Sequence, residues 1–181
     1  MNTLPLVSVI SVVYNNVEYV EKAINSVNSQ SYPNIEYIVI DGGSTDGTIE
    51  VINKNIKLIS EFISEKDNGI YDALNKGVKI SSGEIIAILH SDDVFIDKSS
   101  VSLSVERMLD KDAEICFSDM IIVNRSNEKI VRYYKSQYFK KWLFRIGWMP
   151  PHPTCFIKKN LFDKFGFYDL EYKIAADFDL L

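Results

Sequence analysis

A chain of 181 residues with 46% hydrophobic side chains is long enough for one well-buried domain and too apolar for disorder. Lys plus Arg total 20 against 25 for Asp plus Glu, a formal charge of −5, so the global basic footprint that duplex nucleic acid requires is missing. Cys116 and Cys155 are far apart, lack metal-ligand spacing and have apolar neighbours, which fits reduced thiols in a cytosolic protein, with a bridge between them as the open alternative.

The run LPLVSVISVV has no preceding Lys or Arg, the first being Lys22, and no small-residue cleavage site after it, so it reads as a strand and not as a targeting segment. No apolar run approaches the ~20 residues needed to cross a bilayer. Residues 6–14 are β-branched and almost continuously apolar, as in a strand covered on both faces. Val17, Val20, Ala23, Ile24 and Val27 recur at helical spacing up to the stop at Pro33. IEYIVID (35–41) is the next strand, ending abruptly at GGSTDGT, where glycines permit a tight turn and Ser44, Thr45 or Asp46 can cap the helix carrying Ile49 and Ile52.

Ile56 to Ile63 reads as a weaker third strand. Asp67-Asn68-Gly69 then supplies a turn and cap for a helix whose stripe is Ile70, Ala73, Leu74, Gly77 and Val78. EIIAIL (84–89) is the most apolar short strand and ends in His90-Ser91-Asp92-Asp93. The order β-α-β-α-β-α-β predicts an open, mostly parallel, Rossmann-like sheet with helices on both faces and a ligand crevice at the strand C-termini, where Asn15, Asp41 and Asp92 all fall. Beyond it the spacing predicts a helix near 99–109, a strand near 114–119 and a hairpin over 120–135 turning at Arg125 to Glu128. An aromatic and basic stretch with a Pro cluster, a short helix at Leu161 to Phe165 and IAADFDLL complete a mixed C-terminal part. The last helix has only begun at Leu181, as in a chain cut from a longer one or a frayed end.

Adjacent carboxylates where a buried strand surfaces call for a cation. Hard ions such as Mg²⁺ and Mn²⁺ take one or two carboxylates plus substrate phosphate oxygens, so a nucleotide diphosphate is the natural companion of Asp92 and Asp93; a solvent-facing helix cap is the plainer alternative.

Val7 to Asn15, VIDGGSTDGT, SEKDNGIYDALNKGV, SSGEIIAILHSDDVF and AADFDLL, in this order and covering nearly the whole chain, resemble the nucleotide-sugar-binding core of the family 2 glycosyltransferases, the GT-A fold, nearest to a bacterial polysaccharide-assembly branch. The resemblance implies a single GT-A catalytic domain over 1–181, with a nucleotide-sugar half (1–95) and an acceptor-side half (96–181). It implies Val13, Tyr14 and Asn15 at the nucleobase, Asp41 on base or ribose, and Asp67 at the nucleotide, with Asp72 and Asn75 lining the same crevice. A fixed carboxylate or carbonyl can accept from a base edge, whereas the alternatives are an Asx-turn for Asp41 and a helix cap for Asp67. The family's D-x-D frame falls on His90 to Asp93, His90 replacing its first Asp, which leaves Asp92 and Asp93 as the carboxylates for ribose and metal (Mn²⁺ or Mg²⁺), with either as metal ligand. His90 reads as a core histidine, with a metal ligand or a phosphate donor as alternatives. Asp177 falls at the general base, Ala176 replacing the usual first acid and Asp179 standing as a substitute; an exposed helix-start Asp is the plain alternative. The implied reaction is inverting transfer from a UDP- or GDP-sugar to a saccharide or lipid-linked acceptor in cell-surface polysaccharide or glycolipid synthesis, in the cytoplasm or at the inner membrane face.

Residues Phe139 to Trp148 mix bulky apolar and cationic side chains, a composition suited to a lipid-phosphate acceptor or a membrane surface, or to a helix packing its aromatics on the sheet. His152 stands in a PPHP turn, facing phosphate or stabilising the turn. A nicotinamide-binding enzyme is excluded because Tyr14-Asn15-Asn16 occupies the place of its glycine-rich turn. A sugar nucleotidyltransferase lacks its early basic phosphate loop here. The remaining alternative is a chain that binds nucleotide sugar without turnover because acceptor elements lie beyond it.

Overall fold

In the computed structural model, which describes residues 4–180, the apolar run Val7–Val13 forms a strand, β1, buried at every position. β2 (Ile35–Asp41) and β4 (Ile85–Ile88) pair with it in parallel on either side, and β3 (Glu61–Ser64) extends the sheet in parallel beyond β2. β8 (Phe156–Lys158) runs antiparallel to β4 and carries β5 (Ile115–Cys116) at the far edge, giving the order β3-β2-β1-β4-β8-β5. This is an α/β GT-A fold, with a mostly parallel open sheet and, apart from it, a two-stranded antiparallel sheet of β6 (Met120–Val123) and β7 (Ile130–Tyr134).

Because successive strand residues face opposite sides, β1 feeds two cores. Val7, Val9 and Val13 join Val20, Ala23, Ile24 and Val27 of α1 (Val20–Asn28), Ile52 of α2 (Thr48–Lys54) and Val101, Val105 and Met108 of α4 (Ser100–Lys111). Ile10 and Val12 join Ala73, Leu74 and Val78 of α3 (Ile70–Ile80) and Leu161 and Phe162 of α5 (Asn160–Phe165). Burying such side chains contributes about 1.5–3 kcal/mol each. α3 lies so close to the sheet that a Cβ at Gly77 would stand 2.5 Å from Ile10 Cγ2, so the small residue in the helical stripe sets the depth of contact.

Four expectations are corrected. Ile56–Leu58 is a 3₁₀ turn, and the third strand starts only at Glu61, because pairing with β2 begins where the Ser60 amide meets the Tyr37 carbonyl at 2.8 Å. The strand near 114–119 shrinks to two residues at the sheet edge. The Pro-rich stretch conceals β8, whose three-residue length leaves no periodicity to read. The aromatic and basic stretch forms 3₁₀ helices at Ser136–Tyr138 and Lys141–Ile146 in place of an α-helix. The hairpin turns where expected, and both cysteines are free. The final helix, α6, spans Ala176–Leu180, and Leu181 lies outside the described residues.

Candidate active site

The C-terminal ends of β1 and β2 are stitched together by side chains bonding backbone. Asn15 adopts a left-handed φ of 46°, which Asn tolerates better than most residues. Its amide donates to Ser44 Oγ at 2.8 Å while its own Oδ1 accepts from the Thr45 amide at 2.8 Å. Asp41 lies beneath this loop with 0% exposure, accepting from the amides of Gly43 and Ser44 at 3.0 Å and from the hydroxyls of Ser44 and Ser64 at 2.5 and 2.7 Å. A buried carboxylate held by four donors is well compensated. In this conformation Asp41 therefore shapes the glycine loop and has no surface open to a ligand. Val13 is buried too, its carbonyl accepting from the Gly42 amide at 2.9 Å, whereas Tyr14 is 65% exposed at the lip.

Asp67 arrives from the segment after β3 and is half-buried against Gly42, where an added Cβ would stand 2.5 Å from Asp67 Oδ2. Its Oδ1 accepts from the Gly69 amide at 2.9 Å, an Asx-turn entering α3. Asp72 accepts from the Asn68 amide at 3.0 Å and pairs with Lys76 at 3.5 Å, so it supports the start of α3. Asn75, expected to line the crevice, is instead buried and holds the backbone of Tyr168, donating to its carbonyl at 2.8 Å and accepting from its amide at 2.9 Å.

The loop after β4 joins this assembly through Ser91, whose Oγ accepts from Asn16 Nδ2 at 2.7 Å. All three strand ends are thereby brought to one crevice. A tight turn, with the Asp93 amide donating to the His90 carbonyl at 3.0 Å, sets the two acids apart in character. Asp92 is exposed; Asp93 is half-buried. Burial pushes the Asp93 carboxyl above its ordinary range, His90 pulls it down, and the charge of Asp92 raises it further. The donor set fits a hard divalent ion: two adjacent carboxylates, one reluctant to hold a lone charge, beside His90 Nδ1, a buried nitrogen without a partner. Among the described residues no group of three or more His, Cys, Asp or Glu side chains could hold an ion alone, so further oxygens would have to come from a diphosphate.

Asp177, half-buried in the first turn of α6, accepts from the Tyr71 hydroxyl at 3.1 Å, and Ala176 beside it anchors the helix in the core. Tyr71 stacks on Tyr168 at 5.7 Å, and the Tyr168 hydroxyl meets His152 Nε2 at 2.8 Å. Burial drives the His152 pKa down to about 4, with Asp177 raising and His90 lowering it. His152 is thus neutral at pH 7, and its bond to Tyr168 supports a place in the turn. Trp148 stacks on Phe139 at 5.7 Å inside an aromatic cluster with Phe144 and Phe117, so it packs the segment between β7 and β8 together.

Sequence reading missed the residues that act through others: Tyr71, Tyr168, Asn16 and Arg125. Arg125, in the β6–β7 turn, donates from Nη2 to Asp92 Oδ2 at 2.7 Å and lies over the Tyr19 ring at 4.9 Å. Its one sequence signal was its place in the predicted turn.

The open, mostly parallel α/β sheet with an acidic pair in the loop after β4 belongs to the GT-A class of fold. The family model "Glycosyl transferase family 2" matches residues 8–167, and the chain belongs to that family. It is 33% identical over 184 residues to an uncharacterised glycosyltransferase of Mycobacterium tuberculosis, covering 98% of this chain and 68% of that one. Among solved structures it is similar to S. aureus TarS in complex with UDP-GlcNAc, at 21% identity and a TM-score of 0.75, covering 97% of this chain and 52% of that one. The mannosyltransferase PcManGT from Pyrobaculum calidifontis, in complex with GDP-Man and Mn²⁺, matches at 19% identity and a TM-score of 0.73, covering 97% and 50%. The chain spans about two thirds of the mycobacterial relative and about half of each solved enzyme.

Proposed function

We propose that this chain is the donor-binding and catalytic part of an inverting glycosyltransferase that moves a sugar from a UDP- or GDP-sugar to an acceptor hydroxyl in cell-surface polysaccharide or glycolipid synthesis. One observation carries the reading. Asp177 of α6 is linked through Tyr71 and Tyr168 to His152, whose turn packs against β4, the strand that leads into the loop bearing Asp92 and Asp93. The ligands in the two solved neighbours, GDP-Man with Mn²⁺ and UDP-GlcNAc, support the choice of donor and metal.

In this reading Tyr14 and Asn15 meet the nucleobase at the lip, Val13 and Asp41 shape the floor beneath them, and Asp67 closes the nucleotide side. Asp93 and Asp92 would hold Mn²⁺ or Mg²⁺, which supplies Lewis-acid neutralisation of the departing diphosphate. Asp177 takes the proton of the acceptor hydroxyl as it attacks the anomeric carbon, and Tyr71, bonded to one of its oxygens, fixes the carboxylate's orientation. Holding the reacting atoms in line supplies much of the rate.

Calorimetry and transfer assays on two variants test this. Asp93→Ala is expected to abolish Mn²⁺-dependent UDP- or GDP-sugar binding, while Asp177→Asn spares binding and lowers turnover by roughly 10²–10⁴-fold. Equal donor affinity and unimpaired turnover in both variants would sink the assignment. Because the chain covers about half of each solved neighbour, binding without turnover is the second reading, and donor hydrolysis by the wild-type chain separates the two.

A further inference from the structure

The charge of this acidic chain is unevenly spread. Between Lys129 and Phe162 stand eight of its 20 basic residues and none of its 25 acidic ones. The same stretch leaves bulky side chains in solvent, with Tyr138 at 68%, Trp142 at 55% and Ile146 at 68% exposure. The 3₁₀ helix Lys141–Ile146 shows how the two features coexist. Phe144 turns inward, edge-on to Phe139 at 5.8 Å and against Phe178 at 5.9 Å, while Lys141, Trp142, Arg145 and Ile146 stay exposed. One short segment therefore packs Phe144 inward and leaves both bulky apolar and cationic side chains in solvent.

We propose that Tyr138, Lys140, Lys141, Trp142, Arg145 and Ile146 form a docking surface for an anionic phospholipid bilayer. Rings and the Ile side chain would enter the headgroup boundary while the flanking ammonium and guanidinium groups meet lipid phosphates. The charge pattern selects this occupant. A second copy of the same face would oppose like charges at every cationic position, whereas an anionic leaflet complements all of them. The contact of Phe144 with Phe178, the residue after Asp177, ties this surface to the acceptor side of the crevice. Docking would thus present the site to an acceptor embedded in the bilayer, a consequence that rests on the proposed role of Asp177.

The test is co-sedimentation with vesicles of phosphatidylcholine alone and of phosphatidylcholine mixed with phosphatidylglycerol. Binding to the mixed vesicles that falls as salt rises, with little to phosphatidylcholine alone, is expected. Lys140→Glu/Lys141→Glu/Arg145→Glu should weaken it by on the order of a hundredfold, and Trp142→Ser/Ile146→Ser should weaken it as well. A blue shift of tryptophan emission on adding vesicles should vanish in Trp142→Phe, since Trp148 is already packed. UDP–Mn²⁺ affinity measured on the same samples reports the donor site separately. Vesicle binding absent, or unchanged in the charge-reversed variant while donor affinity holds, overturns the docking surface alone. A dimer that depends on these six residues overturns it too. Vesicle binding as described without any donor binding keeps the docking surface and removes the functional reading.

Discussion

At the scale of single residues, the site depends on groups kept from their preferred ionisation. His152 is neutral in the fold because burial lowers its pKa to about 4 from an ordinary 6.5. A base with a depressed folded pKa favours the native state above its unfolded value and loses that contribution as pH falls through the folded one. Stability should therefore decline between about pH 6.5 and about pH 4, by on the order of 3 kcal/mol in total from this group. Urea unfolding across that range checks it: in His152→Gln the slope should shrink, and an undiminished slope would assign acid sensitivity elsewhere. The acids of the site divide by the same physics. Asp41 and Asp93 both leave strand ends, yet Asp41 is compensated by four donors, whereas the burial of Asp93 is opposed only by His90. That difference is why Asp93, and not Asp41, is the carboxylate proposed for a cation.

At the scale of elements, the β6–β7 hairpin is the piece whose role the residue types hid. It lies outside the main sheet but returns to the loop after β4 and to α1 through Arg125 on Asp92, the Tyr19 ring under the guanidinium, and Lys22 to Glu128 at 3.5 Å. These contacts are solvent-exposed, so each contributes little to stability. Their consequence is occupancy: a guanidinium already neutralises one of the two carboxylates that a metal would use. Arg125→Ala is expected to leave the melting temperature nearly unchanged and to tighten Mn²⁺ binding in the presence of UDP about three- to tenfold. Weaker Mn²⁺ binding in the variant would show instead that the arginine assists the site. Hairpin existence was legible because short apolar runs flank the polar turn residues Arg125 to Glu128; its landing place was not, since nothing local to Arg125 encodes a contact 33 residues back.

For the whole molecule, ligand binding and folding are linked, because the crevice exists only when three strand ends are assembled. UDP with Mn²⁺ at about 100 times its dissociation constant should stabilise the fold by about 2.7 kcal/mol, roughly 5–11 °C in a domain of this size. Thermal melts of wild type and Asp93→Ala, with and without both ligands, check it, and a shift that survives in the variant would place the ion elsewhere. The parallel sheet, the order of its first four strands' helices and the loops bearing Asp41, Asp67 and Asp92 were readable from the chain, since periodicity and turn chemistry are local properties. Asp177 was marked only by resemblance to a family. Three-dimensional packing alone decided that Asp41 would be sealed beneath its loop, that His152 would be neutral, that Tyr71 would hold Asp177, and that a three-residue strand would slot antiparallel beside β4. Burial and partnership are sums over distant segments, and neither is written in any short stretch of sequence.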